Sequence, residues 1–210
     1  MGPSGSGKTT LLNLLGTIDT VTSGQILVDE EDITKMNKHQ VANYRREKIG
    51  FIFQDFNLLN TLTLKENIML PILLGDGKKQ IDQGRVDKIG KNLGISHVMN
   101  KYPYEVSGGE RQRTAAARAI VTNPKIILAD EPTGNLDSKS SKELLEMLEF
   151  LNQEYGMTIL MVTHDIFVAS FSNRVLFIRD GKLFNELVKN QDRKEFFDQI
   201  IDFEATIGGE

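Results

Sequence analysis

Gly2-Pro3-Ser4-Gly5-Ser6-Gly7-Lys8-Thr9 opens the chain, and the reading of every later segment depends on it. The octet satisfies G-x-x-x-x-G-K-[ST] in full. Gly2, Gly5 and Gly7 permit backbone angles that turn successive N–H groups inward, which makes a concave anion nest. Thr9-Thr10-Leu11-Leu12-Asn13-Leu14-Leu15 then starts a helix whose N-terminus directs partial positive charge at the same point. The pattern predicts a phosphate-binding loop walled by Gly2, Pro3, Ser4, Gly5, Ser6, Gly7 and Thr10. In it Lys8 reaches the β- and γ-phosphates and the Thr9 hydroxyl ligates Mg²⁺. The plainer readings are a flexible Gly/Ser tail and a myristoylation signal (Met1-Gly2 with Ser6), and the second is set aside because the octet meets a far more restrictive pattern.

Around this loop lies an ordinary globular composition: 210 residues, 40% hydrophobic and 26% charged, with no cysteine. That length fits one domain with a core of its own. The absence of cysteine excludes a disulfide framework and thiolate chemistry. No apolar run reaches the roughly 20 residues of a membrane span, and no secretory signal is expected at the N-terminus. A net charge of −4 argues against a nucleic-acid partner, whose grip would rest on excess lysine and arginine.

Downstream, residues 25–29 alternate as a strand and 48–53 as a second, with a charged helix around 39–46 between them. From Thr63 the pattern turns helical, with Leu64, Ile68 and Ile72 on one face and Pro71 set to kink or end it. Residues 75–79 form a polar loop and 81–93 a further helix. The second half alternates helix and strand. A helix opens at Ser107-Gly108-Gly109-Glu110 and runs through 115–120. Residues 125–130 and 158–163 are buried strands, near-continuous in apolar residues as parallel strands covered on both faces are. Residues 138–155 form an amphipathic helix, and Asp180-Gly181 turns a hairpin within 174–187. In the tail, 192–207, Phe196, Phe197, Ile200 and Ile201 share a helical face read as packing.

Two further motifs carry chemistry. Asp130 and Glu131 end an apolar strand. Asp130 can hold Mg²⁺ beside Thr9, and Glu131 can deprotonate or orient a water. A strand ending in solvated acids is the common alternative. Downstream of a phosphate loop, though, a metal-holding carboxylate is what phosphoryl transfer requires. Ser107-Gly108-Gly109 is a second anion-seeking helix start.

Gly2–Thr9, Gln54, Val106–Arg113, Leu128–Thr133, Asn135–Ser138 and Val162–Asp165 stand in the order and spacing of the ABC transporter ATPases, which this chain resembles from residue 1 to about 190. Residues 50–59 and 129–137 are similar to the MacB/LolD group. Residues 65–68 and 193–197 look most like the bacitracin-type branch that handles antimicrobial peptides. The resemblance implies an α/β phosphate-loop fold with a mainly parallel core sheet and a helical subdomain. It divides the single domain into a core lobe (1–55 and 107–190), a helical lobe (56–106) and a C-terminal helix (191–207).

It further implies ATP and Mg²⁺ as cofactors, with Gln54 and Asp130 joining Thr9 at the metal. Glu131 would be the general base, with His164 aligning the water and clamping the γ-phosphate. A single histidine at a strand end is otherwise a satisfied core residue, the reading kept for His39 and His97. Ser107, Gly108, Gly109, Glu110 and Asp137 would face a second ATPase subunit in a head-to-tail dimer. A transmembrane permease would be driven through the helical lobe, placing the protein in the cytoplasm on the inner face of the membrane. The expected function is to power antimicrobial-peptide export, with lipoprotein release and cell division as alternatives.

Only Met1 precedes the loop, where the resemblance places a central strand, an antiparallel sheet and an aromatic residue for adenine. The expectation is therefore a 5′-truncated or mis-started frame, with ATP hydrolysis impaired as a further alternative.

Overall fold

From Lys8 the chain winds into α1 (Lys8–Leu15), entered through Gly7, whose φ of 96° is open to glycine and strained for other residues. The computed structural model describes residues 1–53, 55–74, 83–190 and 192–207. Leu27–Val28 (β1) and Glu31–Asp32 (β2) pair antiparallel. The strand expected over 25–29 is thus only two residues long. Asp29 and Glu30 both take positive φ, 48° and 66°, and reverse the chain at once. Helix α2 (Lys38–Lys48) is opened by a reciprocal cap between Asn37 and Gln40, and it feeds directly into β3 (Ile49–Ile52).

Thr63 and Glu66 form the same capping device at α3 (Leu64–Leu73), which continues two residues beyond Pro71. Helix α4 covers Gln83–Asn92. The polar loop read at 75–79, and the start of the helix read from 81, lie outside the described residues. Then follow α5 (Gly108–Ile120), β4 (Ile126–Asp130), α6 (Ser138–Tyr155), β5 (Thr158–Val162) and the short α7 (Ile166–Ala169). The chain closes with β6 (Arg174–Arg179), β7 (Lys182–Val188) and α8 (Arg193–Ile207).

Strands β3, β4 and β5 form a parallel sheet in that order, with Ile52 opposite Ala129 and Asp130 opposite Val162. Their carboxyl ends therefore finish level, and the turns after residues 52, 130 and 162 leave from one edge. That edge is where open α/β sheets hold ligands. The sheet is fixed by burial: Ile52, Ile127, Leu128 and Ala129 are fully enclosed. Helix α5 packs tightly on β3, because a Cβ on Gly50 would lie 2.4 Å from the Ala119 carbonyl oxygen.

Strands β6 and β7 pair as the expected hairpin, with Asp180 and Gly181 both at positive φ. A cavity of about 470 Å³ lined by residues of both β5 and β6 separates the hairpin from the parallel sheet. Met1 bonds to β6 as a parallel strand residue does: its amine donates to the Leu176 carbonyl (2.6 Å) and its carbonyl accepts from the Ile178 N–H (2.8 Å). Burial, reinforced by Lys8, lowers that amine's pKa to about 6. Helix α8 covers the hairpin with Phe196 and Ile200, which are buried beside Met1, Val175 and Phe177. Its inner stripe is narrower than expected: Ile201 is exposed, and Phe203, three residues beyond Ile200, completes the contact. No helix among the described residues is long and apolar enough to cross a membrane.

Candidate functional site

The phosphate loop is built as its glycines require. Gly2, Gly5 and Gly7 take φ of 143°, 79° and 96°. Lys8 curls back over the loop, its Nζ donating to the carbonyls of Gly2 (2.8 Å) and Pro3 (2.7 Å) and to Ser6 Oγ (3.2 Å). Ser6 is buried, and its carbonyl accepts the Gly181 N–H, tying the loop to the β6–β7 turn. Pro3, Ser4, Gly5, Thr9 and Thr10 are exposed.

Helix α1 brings Thr9 to the end of β4, where its hydroxyl lies beside Asp130. Burial raises the Asp130 pKa, the negative charge of Glu131 adds to this, and Thr9 and Lys8 oppose it. The Asp130 Oδ1 atom is enclosed and meets no donor among the described residues. A buried carboxylate oxygen without a donor, beside a hydroxyl, suits a hard cation. With one carboxylate and one hydroxyl, this donor set fits Mg²⁺, which commonly keeps several waters and substrate phosphates as ligands.

Glu131 follows in the left-handed region, φ 42°, a conformation that costs on the order of 1–3 kcal/mol and is held only by its surroundings. Its N–H donates to the Val162 carbonyl and its own carbonyl accepts from Gly134, both at 3.0 Å. This geometry presents Oε1 to His164 Nδ1 at 2.8 Å, so β4 and β5 deliver an acid–imidazole pair to one edge. The Glu131 carboxylate raises the His164 pKa through its hydrogen bond and its charge. With the folded pKa above the unfolded one, the pair's contribution is complete below the unfolded value and is lost as pH rises through the folded one. NMR titration of His164 should give a midpoint above the usual histidine value, and Glu131→Gln should return it toward that value. His164 is exposed, so it is not the enclosed core histidine of the alternative reading, and His39 and His97 are not enclosed either. His97 instead pairs with Glu110 at 3.2 Å.

Ser107 caps α5 reciprocally with Glu110, whose Oε2 accepts from the Ser107 N–H (2.8 Å) and hydroxyl (2.7 Å). These bonds hold the Glu110 pKa below its usual value. Gly109 lets α5 approach α6, since a Cβ there would lie 3.1 Å from Ser140 Oγ. Ser107 is exposed, and among the described residues no hydrogen bond joins Ser107–Gly109 to the phosphate loop. Asp137 is the N-cap of α6, accepting from the N–H groups of Lys139 and Ser140 and from the Ser140 hydroxyl, which holds its pKa low. Gln54 lies outside the described residues.

Several groups around these motifs had little or no signal in the sequence. Arg118 of α5 donates to the carbonyls of Asn57 and Phe56, which both take positive φ. The Arg111 guanidinium lies over the Phe56 ring, and Asn135 donates to Asp55 Oδ1 at 3.0 Å. Gln112 is fully buried and donates to the Pro132 carbonyl at 2.8 Å. One cue to Gln112 was its spacing: residues 112, 115, 116 and 119 share a face whose other members are alanines.

A nest of turned glycines, a carboxylate beside a loop hydroxyl, a Glu–His pair and a second helix start with the Ser-Gly-Gly-Glu signature together define a class, and the chain belongs to the ABC transporter family, whose profile matches residues 1–134. It is an ATP-binding domain of that family. The chain is 51% identical over 209 residues to the ABC transporter ATP-binding protein YxdL of Bacillus subtilis, covering 100% of this chain and 81% of that protein. It is 45% identical over 210 residues to the bacitracin export ATP-binding protein BceA of Halalkalibacterium halodurans, covering 100% of this chain and 83% of the relative. It is also 45% identical to the macrolide export ATP-binding/permease protein MacB of Campylobacter jejuni, over 93% of this chain and only 30% of that longer protein. Among solved structures, the dimeric bacterial ABC transporter cassette MJ0796 superposes with a TM-score of 0.79 at 42% identity, covering 90% of this chain and 83% of that one. A second structure of MJ0796, in a post-hydrolysis state bound to ADP and Pi, matches with the same score at 41% identity. The fold and the family read from the motifs are both borne out.

Proposed function

We propose that this chain binds and hydrolyses ATP as one of two copies in a head-to-tail dimer, and that the cycle powers a permease exporting antimicrobial peptides. The observation that carries the ATPase reading is the meeting of Thr9, Asp130, Glu131 and His164 at one sheet edge beside the phosphate loop. The loop amides and Lys8 bind the β- and γ-phosphates, and Lys8 exchanges its internal partners for them. Thr9 and Asp130, with Gln54, would hold Mg²⁺, which when bound would supply charge neutralisation at the phosphates. Glu131 takes a proton from the attacking water, and His164 orients that carboxylate and the γ-phosphate.

Among the described residues the start of α5, with Ser107 exposed, makes no hydrogen bond to its own phosphate loop, which supports its use on the partner copy's phosphate. The dimer form of MJ0796 and the export names of the relatives BceA and MacB support the wider reading. The permease would dock on the helical lobe, residues 56–106. A groove of about 300 Å³ where that lobe meets the core, lined by Asn57 and Pro71 on one side and by Arg45, Arg46, Phe51 and Arg118 on the other, suits an acidic or amphipathic segment. On this reading the protein works at the cytoplasmic face of the membrane.

ATP turnover and nucleotide affinity of the purified chain test the reading. Lys8→Ala should weaken nucleotide binding by about ten- to a hundred-fold, the equivalent of one charge-assisted hydrogen bond of roughly 1.5–3 kcal/mol. A wild-type chain that binds ATP without turning it over would refute the hydrolytic part.

A further inference from the structure

Helix α5 carries a second connection to the chemistry besides its signature end. Gln112 lies one turn into the helix, is fully buried, and sends its Nε2–H to the carbonyl of Pro132 at 2.8 Å. Pro132 directly follows Glu131. The backbone around the carboxylate is therefore fixed at three successive groups. The Glu131 N–H goes to Val162 on β5, its carbonyl goes to Gly134, and the next carbonyl, that of Pro132, goes to Gln112. Two of these contacts are made locally or within the sheet. Only the third comes from the signature helix.

Glu131 depends on such restraint more than an ordinary residue. At φ 42° it sits outside its relaxed conformations, so a loosened neighbour lets it relax and swings the carboxylate. Helix α5 is rigidly seated, with Thr114, Ala115, Ala116 and Ala117 all fully buried. A displacement at its N-terminus is then transmitted as a whole to the Pro132 peptide. As a mere filler of this space, an amide is an expensive choice: its Oε1 meets no donor among the described residues, whereas methionine would fill similar volume without that polar burden.

We propose that Gln112 is a positioning residue: through the Pro132 carbonyl it sets the orientation of the Glu131 carboxylate and so makes the chemical step sensitive to the seating of the signature helix. The proposal rests on the ATPase reading above and adds to it a specific wire between two motifs. It predicts a split in the kinetic constants. Losing the Gln112 donor misplaces Glu131 and leaves the loop amides, Lys8 and Thr9 untouched.

The test compares wild-type, Q112M, E131Q and Q112M/E131Q, with turnover expressed per nucleotide-binding site so that any unfolded fraction drops out. Q112M should lower kcat about ten- to a hundred-fold, with the affinity for ATP held within about two-fold. It should also lower the His164 titration midpoint, because the Glu131–His164 pair is loosened. In the E131Q background Q112M should cost nothing further, since the group it positions is already disabled.

A kcat per site unchanged by Q112M, or losses that multiply in the double variant, would overturn the proposal while leaving the ATPase reading in place. If the wild-type chain itself shows no turnover, both fall together. Should Q112M not fold, Q112N carries the same test, because its amide stops one methylene short of Pro132.

Discussion

Glu131→Gln should abolish at least about 99% of ATP turnover while leaving ATP binding intact. General-base contributions commonly lie between about 10² and 10⁴ in rate, and among the described residues no second carboxylate bonds His164 as Glu131 does. Asp130, the adjacent acid, is turned to Thr9, and burial raises its pKa. Glutamine preserves the volume, the φ of 42° and the backbone bonds to Val162 and Gly134, so the loop should keep its shape. It cannot accept a proton from water. Its amide oxygen can still accept from the imidazole of His164, so the ring has no reason to leave.

The two halves of the site then respond differently. Lys8→Ala loses nucleotide at the binding step, whereas Glu131→Gln binds ATP and holds it uncleaved. Equilibrium binding of ATP measured beside phosphate release in the same preparation distinguishes the two. If Glu131→Gln retained more than a tenth of the wild-type rate, Glu131 would be an orienting group and not the base.

What could be read in the sequence was local. The phosphate loop, the strand ending in Asp130-Glu131 and the start of α5 each depend on a few contiguous residues whose backbone geometry their composition nearly dictates. The reciprocal caps at Thr63/Glu66 and Ser107/Glu110 follow the S/T-x-x-E spacing that marks a helix start. Asp180-Gly181 was legible as a turn for the same reason. The backbone of the Asp29-Glu30 turn was less legible, since neither residue announces a positive φ and the strand read over 25–29 runs into Asp29. At the tail, the apolar residues were identified but the face was set too wide, because burial of Ile201 depends on how α8 lies on the hairpin.

The ties between motifs were less legible still. Arg118 reaches the carbonyls of Phe56 and Asn57 across about sixty residues of chain, and Gln112 reaches Pro132 across twenty. An arginine near the end of a helix reads equally well as a solvated charge. Only packing decides that its guanidinium closes a left-handed turn instead. The motifs name the groups proposed to touch nucleotide, while their relative placement is set by tertiary bonds with almost no sequence pattern. Variants of Gln112 and Arg118 are therefore informative in a way that another substitution within the phosphate loop is not.

Gly2→Ala should be the most damaging of the loop substitutions for stability, and Gly5→Ala in the same loop supplies its control. Both glycines take positive φ, at 143° and 79°, so an alanine at either costs roughly 1–2 kcal/mol for the backbone conformation alone. They differ in what surrounds them. A Cβ on Gly5 meets nothing within 4 Å, whereas one on Gly2 would lie 2.0 Å from the Ile178 carbonyl oxygen and 3.1 Å from Ser6 Oγ. The first of these neighbours is backbone, held in β6 by its hairpin partner and by the bond from the Ile178 N–H to Met1, so it cannot turn aside as a side chain would. Relieving the overlap must move the loop off the strand, adding about 1–3 kcal/mol of packing strain.

For a chain of this length each kcal/mol lowers Tm by about 2–4 °C. Gly2→Ala should therefore unfold roughly 4–20 °C below wild type and Gly5→Ala only about 2–8 °C below. The displaced loop also carries its inward-turned N–H groups away from the phosphate position, so Gly2→Ala should weaken nucleotide binding as well. Thermal unfolding of the three proteins with and without ATP checks both effects. Equal losses from the two alanines would show that φ alone governs the loop, and that its contact with β6 contributes nothing to holding it in shape.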